Sequence, residues 1–439
     1  MLSPLLLILL AVVPETITTW PAFLGAGAQR DVTQSLPLEW SPTDHIAWQI
    51  GLTGYGQSSP VLWGDRVFVT SVEGPKKDTF HTLCFDLATG AELWRKSIAN
   101  SSPVDSSVYV SRAAPTPLVD AERIICQFES GDCVAYTHTG EKLWSRQLGE
   151  EYGPFTPEFG LGASPCQTQT HLYVLLEQEG PSCLVALDKA TGATTWEIDR
   201  EPAKSWSSPA IVAVNGVPHV VVSSSGPVVG YDAQTGDTLW SFDDVAGNTA
   251  TTPIDCGQGR FLIAASPGRG GENAAEAKRS NALLQITQSD GGWSIERKWI
   301  AEDATPSWAS PIVHQGIAYW INRVGVIYSF DVETGEAVYT KRAKQSSWAT
   351  PLAVDDRIYF FGKEGITTVV RAGREFEELA ANQLWNPEDI PPTANTPADE
   401  SNEERRRSAA MFSKPTLYGC AVANDRLLLR IGNRLYCVH

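Results

Sequence analysis

The chain has 439 residues, 42% of them hydrophobic and 19% charged, which is enough apolar material for a packed core and excludes wholesale disorder. Fifteen Trp and 36 Gly against only 2 Met favour strands, tight turns and aromatic packing over helix bundles. A formal charge of -17 repels phosphate backbones and anionic headgroups, and the best basic run, Arg405 to Arg407, directly follows Glu403 and Glu404, so nucleic acid is not expected as a partner.

The chain opens on an unbroken apolar stretch, Leu5 to Val13, closed by Pro14 and Glu15. It is too short to span a bilayer as a relaxed helix and fits the apolar region of a secretory signal. Residues 1–19 are therefore read as a signal peptide or short anchor, residues 20–439 as a single domain, and the protein as periplasmic or secreted. No strong membrane insertion is expected beyond that segment. Next comes Ile46 to Ile50, IAWQI, patterned as a strand that carries Trp48.

From there two markers recur. The first is a residue and Pro ahead of an apolar strand: Ser59-Pro60, Thr116-Pro117, Ser164-Pro165, Ser208-Pro209, Thr252-Pro253, Ser310-Pro311, Thr350-Pro351 and Lys414-Pro415. Pro at the opening residue of a strand removes no ladder donor. The second is an aromatic residue or Leu, then Asp, two residues, Thr-Gly, three residues and Trp. It appears at Phe85–Trp94, Leu187–Trp196 and Tyr231–Trp240, ends in Tyr at Phe330–Tyr339, and is shortened at Tyr136–Trp144. Asp caps a tight turn, Gly supplies a positive φ, and the closing aromatic falls on an outer strand where it fills the gap to the next sheet. Trp48, Trp94, Trp144, Trp196, Trp240 and Tyr339 are the expected docking residues.

Alternating strands such as Arg66 to Ser71, Leu172 to Leu176, His219 to Ser223 and Arg357 to Phe361 lie between the markers, so each unit reads as four antiparallel strands. Eight such units predict an all-β, eight-bladed β-propeller. The eighth unit stops after its third strand, at Leu435 to Val438, and Ile46 to Ile50 is expected to pair beside it and close the ring. Insertions at 267–280 and 386–410 read as surface loops, and Arg374 to Leu379, REFEEL, replaces the turn marker in the seventh unit.

The Ala186–Trp196 segment, ALDKATGATTW, together with the Ser-Pro strands, resembles the tryptophan-docking motif of pyrroloquinoline quinone (PQQ) repeat propellers, in several copies and over nearly the whole chain. That family includes quinoprotein alcohol and glucose dehydrogenases and non-catalytic members similar to BamB, of the outer-membrane protein assembly machinery. The resemblance implies for the dehydrogenases an axial quinone held against a Trp, calcium on carboxylate and amide oxygens, an Asp base and a disulfide of adjacent cysteines. None of the eight cysteines is adjacent to another or spaced C-x-x-C, so zinc and thioredoxin-like sites fail. Cys126 and Cys133 flank the turn Glu129 to Asp132 and are read as a cross-strand contact, the others as small buried hydrophobes.

Trp206, Trp308 and Trp348 sit just ahead of blade starts and are candidates to face the central funnel, with Arg112 and Glu158 adding charge there. Asp86, Asp188, Asp232 and Asp331 are scattered around the rim as turn caps. No catalytic set, nucleophilic triad or metal spacing stands out among the residues. The expectation is an exported, non-catalytic scaffold for a protein or envelope component, BamB-like outer-membrane assembly being one form, with no cofactor. The alternative is a PQQ-dependent oxidoreductase with calcium in the funnel.

Overall fold

The computed structural model describes residues 18–26, 36–105, 111–153, 155, 160–268, 271, 274–390, 403 and 413–439. Eight antiparallel sheets follow one another around an axis, seven of four strands and one of five. The third blade is representative. Its strands Cys166–Gln167, His171–Leu176, Ser182–Asp188 and Thr194–Arg200 run outward in chain order. The up-and-down order puts the segments leading into each inner strand at one mouth of the channel, here called the upper, and the Thr-Gly turns on the lower face.

The predicted closure is present. Ile46–Gly51 pairs antiparallel with Arg434–Val438, Trp48 opposite Cys437, and completes the eighth blade. The fifth strand of the first sheet was not predicted: Thr19–Trp20 adds to its inner edge, with Trp20 opposite Leu62. The expected boundary after residue 19 thus falls inside a strand.

Blade contacts follow from the turn marker. The Asp188 carboxylate accepts the Thr191 amide and hydroxyl, both at 2.8 Å, and these bonds hold its pKa below the usual carboxylate value. Gly192 then turns at φ +73°, and the Trp144 ring of the preceding blade lies so close that a Cβ there would meet it at 2.6 Å. The indole N–H of Trp144 donates to the Lys189 carbonyl at 3.0 Å. Trp48, Trp94 and Trp196 repeat this arrangement on Gly90, Gly140 and Gly236, donating to the carbonyls of Leu87, His138 and Ala233.

Two docking residues behave otherwise. Trp240 donates to His219 Nδ1 at 3.0 Å within its own blade, because the next blade has a Ser289-Asp290-Gly291-Gly292 hairpin instead of the Thr-Gly turn. Tyr339 meets Phe376 of REFEEL edge-on, ring centres 5.6 Å apart. Trp299, absent from the sequence reading, takes the docking place on Gly335 and donates to the Val332 carbonyl at 2.9 Å. Between the seventh and eighth blades the gap is filled by Leu36 and Trp40, the latter stacked on Tyr359.

The first marker has a second use. The Ser59 amide donates to the Thr116 hydroxyl, Thr116 to Ser164, Ser164 to Ser208, Thr252 to Ser310 and Ser310 to Thr350, all at 2.9–3.0 Å. At these five junctions a Ser or Thr therefore clasps its neighbour around the axis, just ahead of a Pro that has no N–H to give.

Two expectations need correction. Cys126 pairs with Val134, and Cys133 with Gln127, so the two thiols belong to different interblade cores and do not touch across the hairpin. The insertion at 267–280 is not only loop: Ala274–Ser280 is a helix whose Ala277 is buried. Of the segment 386–410, only Asn386 to Ile390 and Glu403 fall among the described residues.

Candidate functional site

The axial channel differs at its two mouths. From below, the chain enters beside the first blade, where the Thr18 carbonyl accepts the Gly64 amide at 2.8 Å. The Pro21 carbonyl then accepts the Val119 amide at 2.9 Å and the Gln167 side-chain amide at 3.2 Å, tying the second and third blades to the same segment. Trp20 and Ala22 are buried. Phe23 and Leu24 stand across the channel and divide it into a cavity of about 60 Å³ against the third to fifth blades and one of about 130 Å³ against the sixth to eighth.

The larger cavity runs from this plug to Trp308 and Trp348, whose rings meet edge-on with centres 4.9 Å apart. The Lys363 ammonium lies 4.2 Å from the centre of the Trp348 ring, and burial pushes its pKa down to about 8. Tyr418 also lines the cavity and is hydroxyl-bonded to Tyr55 at 2.7 Å. Arg112, only 2% exposed, lays its guanidinium 3.6 Å over the Tyr55 ring. Arg430 is fully buried nearby, donating to the Ser58 hydroxyl at 2.8 Å and the Thr70 carbonyl at 2.6 Å. Burial raises the Tyr55 phenol far above its ordinary pKa, so it stays a neutral hydroxyl.

Of the residues singled out by sequence, Trp308 and Trp348 come together. Arg112 joins them through Tyr55 and Tyr418. Trp206 stands apart from the cavity lining, against Gly162 of the third blade, and Glu158 lies outside the described residues. Tyr55, Tyr418, Lys363 and Arg430 were missed. Tyr55 stands ahead of the Ser59-Pro60 marker and Tyr418 after Lys414-Pro415, out of step with the three Trp, while Arg430 interrupts an apolar strand, RLLLRI, which is itself a sign of a buried charge.

The resemblance implies carboxylate and amide oxygens at the axis for a calcium-bound quinone. Among the described residues no three His, Cys, Asp or Glu side chains come together, and all eight cysteines are unpaired. The carboxylate of Glu129, near Arg112 in the chain fold, is already engaged by Lys77 at 3.3 Å and by the Ala113 amide.

The structure is similar to that of BamB from Moraxella catarrhalis, at 12% identity and a TM-score of 0.57, over 89% of this chain and 98% of that one. It is also similar to quinohemoprotein alcohol dehydrogenase from Comamonas testosteroni, at 10% identity and a TM-score of 0.57, over 96% and 80%. At these identities the likeness shows the fold alone. No curated protein matches the sequence. A family model described as outer membrane protein assembly factor BamB matches residues 39–153 and 138–291, more than half of the chain. The chain belongs to that family, the PQQ-like β-propellers.

Proposed function

We propose that this protein is a non-catalytic binding scaffold of the bacterial envelope, which takes a protein or peptide partner at the upper mouth of its channel. A single observation carries the reading: the chain's own N-terminal segment shuts the channel from below, while half-buried Trp308, Trp348, Tyr55 and Tyr418 are left around the upper recess. Aromatic residues that are neither fully buried nor scattered singly are what interface anchors require. The ion pairs Lys77 with Glu129 at 3.3 Å, beside Arg112, and Arg200 with Glu177 at 2.8 Å, on the third blade, are closed on themselves. Family membership supports a partner that is a protein, and a part in outer-membrane protein assembly is the finer form of the reading. An envelope location agrees with the apolar stretch Leu5 to Val13, which lies outside the described residues.

The reading is tested by placing a photo-crosslinking amino acid at Trp308 and, separately, at Leu24, and irradiating intact cells. Discrete adducts of higher mass are expected from position 308 and none from position 24. Equal adducts from both, or none from 308, would contradict it.

A further inference from the structure

The cations around the upper mouth are not alike. Lys77 faces Glu129 at 3.3 Å and Arg200 faces Glu177 at 2.8 Å. No carboxylate pairs with Arg112 or Arg430 among the described residues. Arg430 gives its two terminal nitrogens to Ser58, Thr70 and Gly432. Arg112 leaves both Nε and Nη2 buried without an acceptor, and the hydroxyl of its neighbour Ser111 is likewise buried and unpartnered.

Nε and Nη2 lie along one edge of the guanidinium, so their N–H bonds run parallel and match the two oxygens of a carboxylate. One face of the same group is covered by Tyr55, whose hydroxyl leads through Tyr418 to the cavity of Trp308 and Trp348. In a chain of net charge -17, two buried guanidinium groups without an acid make a local exception of the sign that attracts an anion.

We propose that the Arg112 edge is a carboxylate-binding site, which receives an acidic side chain or the chain-end carboxylate of a peptide whose neighbouring aromatic side chain enters the recess of Trp348 and Trp308. The proposal rests on the reading of the upper mouth as a partner site. Both nitrogens are buried and Tyr55 covers one face of the group, so a ligand reaches the edge only with local movement of the rim.

The test uses the full chain and tryptophan fluorescence titration with two peptide pairs. One is acetyl-Gly-Phe-Glu-Gly-amide against its Gln counterpart; the other is acetyl-Gly-Gly-Phe with a free carboxylate against its amide. At least one carboxylate member is expected to bind about 10-fold tighter than its neutral twin, the size of a lost charge-assisted pair. Which pair shows the difference tells a side-chain source from a chain end. Arg112→Gln removes the difference, with the thermal midpoint recorded alongside because the change also loses the stack on Tyr55; Arg374→Gln, on an exposed arginine, preserves the difference. Equal binding of acid and neutral twins, or an unchanged difference in Arg112→Gln, overturns the site. Stronger competition by inorganic phosphate than by acetate also overturns it, in favour of a phosphate site. Crosslinks from position 308 together with equal peptide binding would leave the scaffold reading standing and remove this one; absence of both would remove both.

Discussion

The two mouths of the channel are built from the same inner strands but treated in opposite ways. The lower is filled by Trp20, Ala22, Phe23 and Leu24 and stitched to three blades by backbone and side-chain hydrogen bonds. The upper carries aromatic rings that are only half buried and an arginine with unpartnered donors. The difference separates two roles: the lower mouth is closed by the chain's own segment, and the upper is the face proposed to receive a partner.

Substitutions separate the two roles. Trp20→Ala, at the lower mouth, empties a buried site that holds the plug, and is expected to cost about 3–5 kcal/mol in denaturant unfolding. A smaller loss than for an upper-mouth Trp would break the comparison. Gly192→Ala is next, because it combines a positive φ with a clash against Trp144, and should cost about 2–4 kcal/mol. Gly316→Ala has nearly the same φ, +76°, with nothing within 4 Å, so it isolates the backbone part at about 1–2 kcal/mol. Equal losses at the two glycines would show that the docked Trp contributes nothing to the requirement. Trp308→Ala at the upper mouth should lower stability by only about 1–2 kcal/mol, since the ring is half exposed, while abolishing crosslinks from a neighbouring probe at Trp348.

The smallest effect is one of pH. Burial holds the His219 imidazole below its ordinary pKa, Asp232 acting weakly the other way, and Nδ1 must stay unprotonated to accept the Trp240 N–H. A folded pKa below the unfolded one means that the unfolded chain binds more protons in the window between them. This contribution is therefore complete above the unfolded value, about 6.5, and is lost as pH falls through the window. Thermal unfolding at pH 7.5 and 5.5 should show a larger acid loss in wild type than in His219→Gln, whose amide oxygen still accepts from Trp240. Identical losses would place the acid sensitivity elsewhere.

Most of the ring was legible in the sequence because its signals are local and repeated. Eight Pro markers set the blade count, and the short eighth unit pointed to Ile46–Gly51 as the missing strand. Trp299 escaped because its own blade lacks the Thr-Gly turn used to find its relatives, although the turn it docks on, Thr334-Gly335, was in view. The hydroxyl clasp was visible as Ser or Thr at seven of the eight markers, but its purpose depends on a neighbour some 40–60 residues away. The plug left no pattern: WPAFLG is short, without period, and its place is settled only by contact with blades far along the chain. The upper site was half seen. Trp308 and Trp348 stood beside blade markers, whereas the link from Arg112 through Tyr55 to Tyr418 joins positions 363 residues apart for its last step.

The central claim is that the funnel receives a partner and not a redox cofactor. It is tested most directly by titrating the purified chain with pyrroloquinoline quinone in the presence of calcium, recording the heat of binding and the dye-linked oxidation of a panel of alcohols and sugars. The account predicts neither calcium-dependent binding nor turnover. Tight, calcium-dependent binding accompanied by turnover that Trp348→Ala abolishes would contradict it and make the funnel an active site.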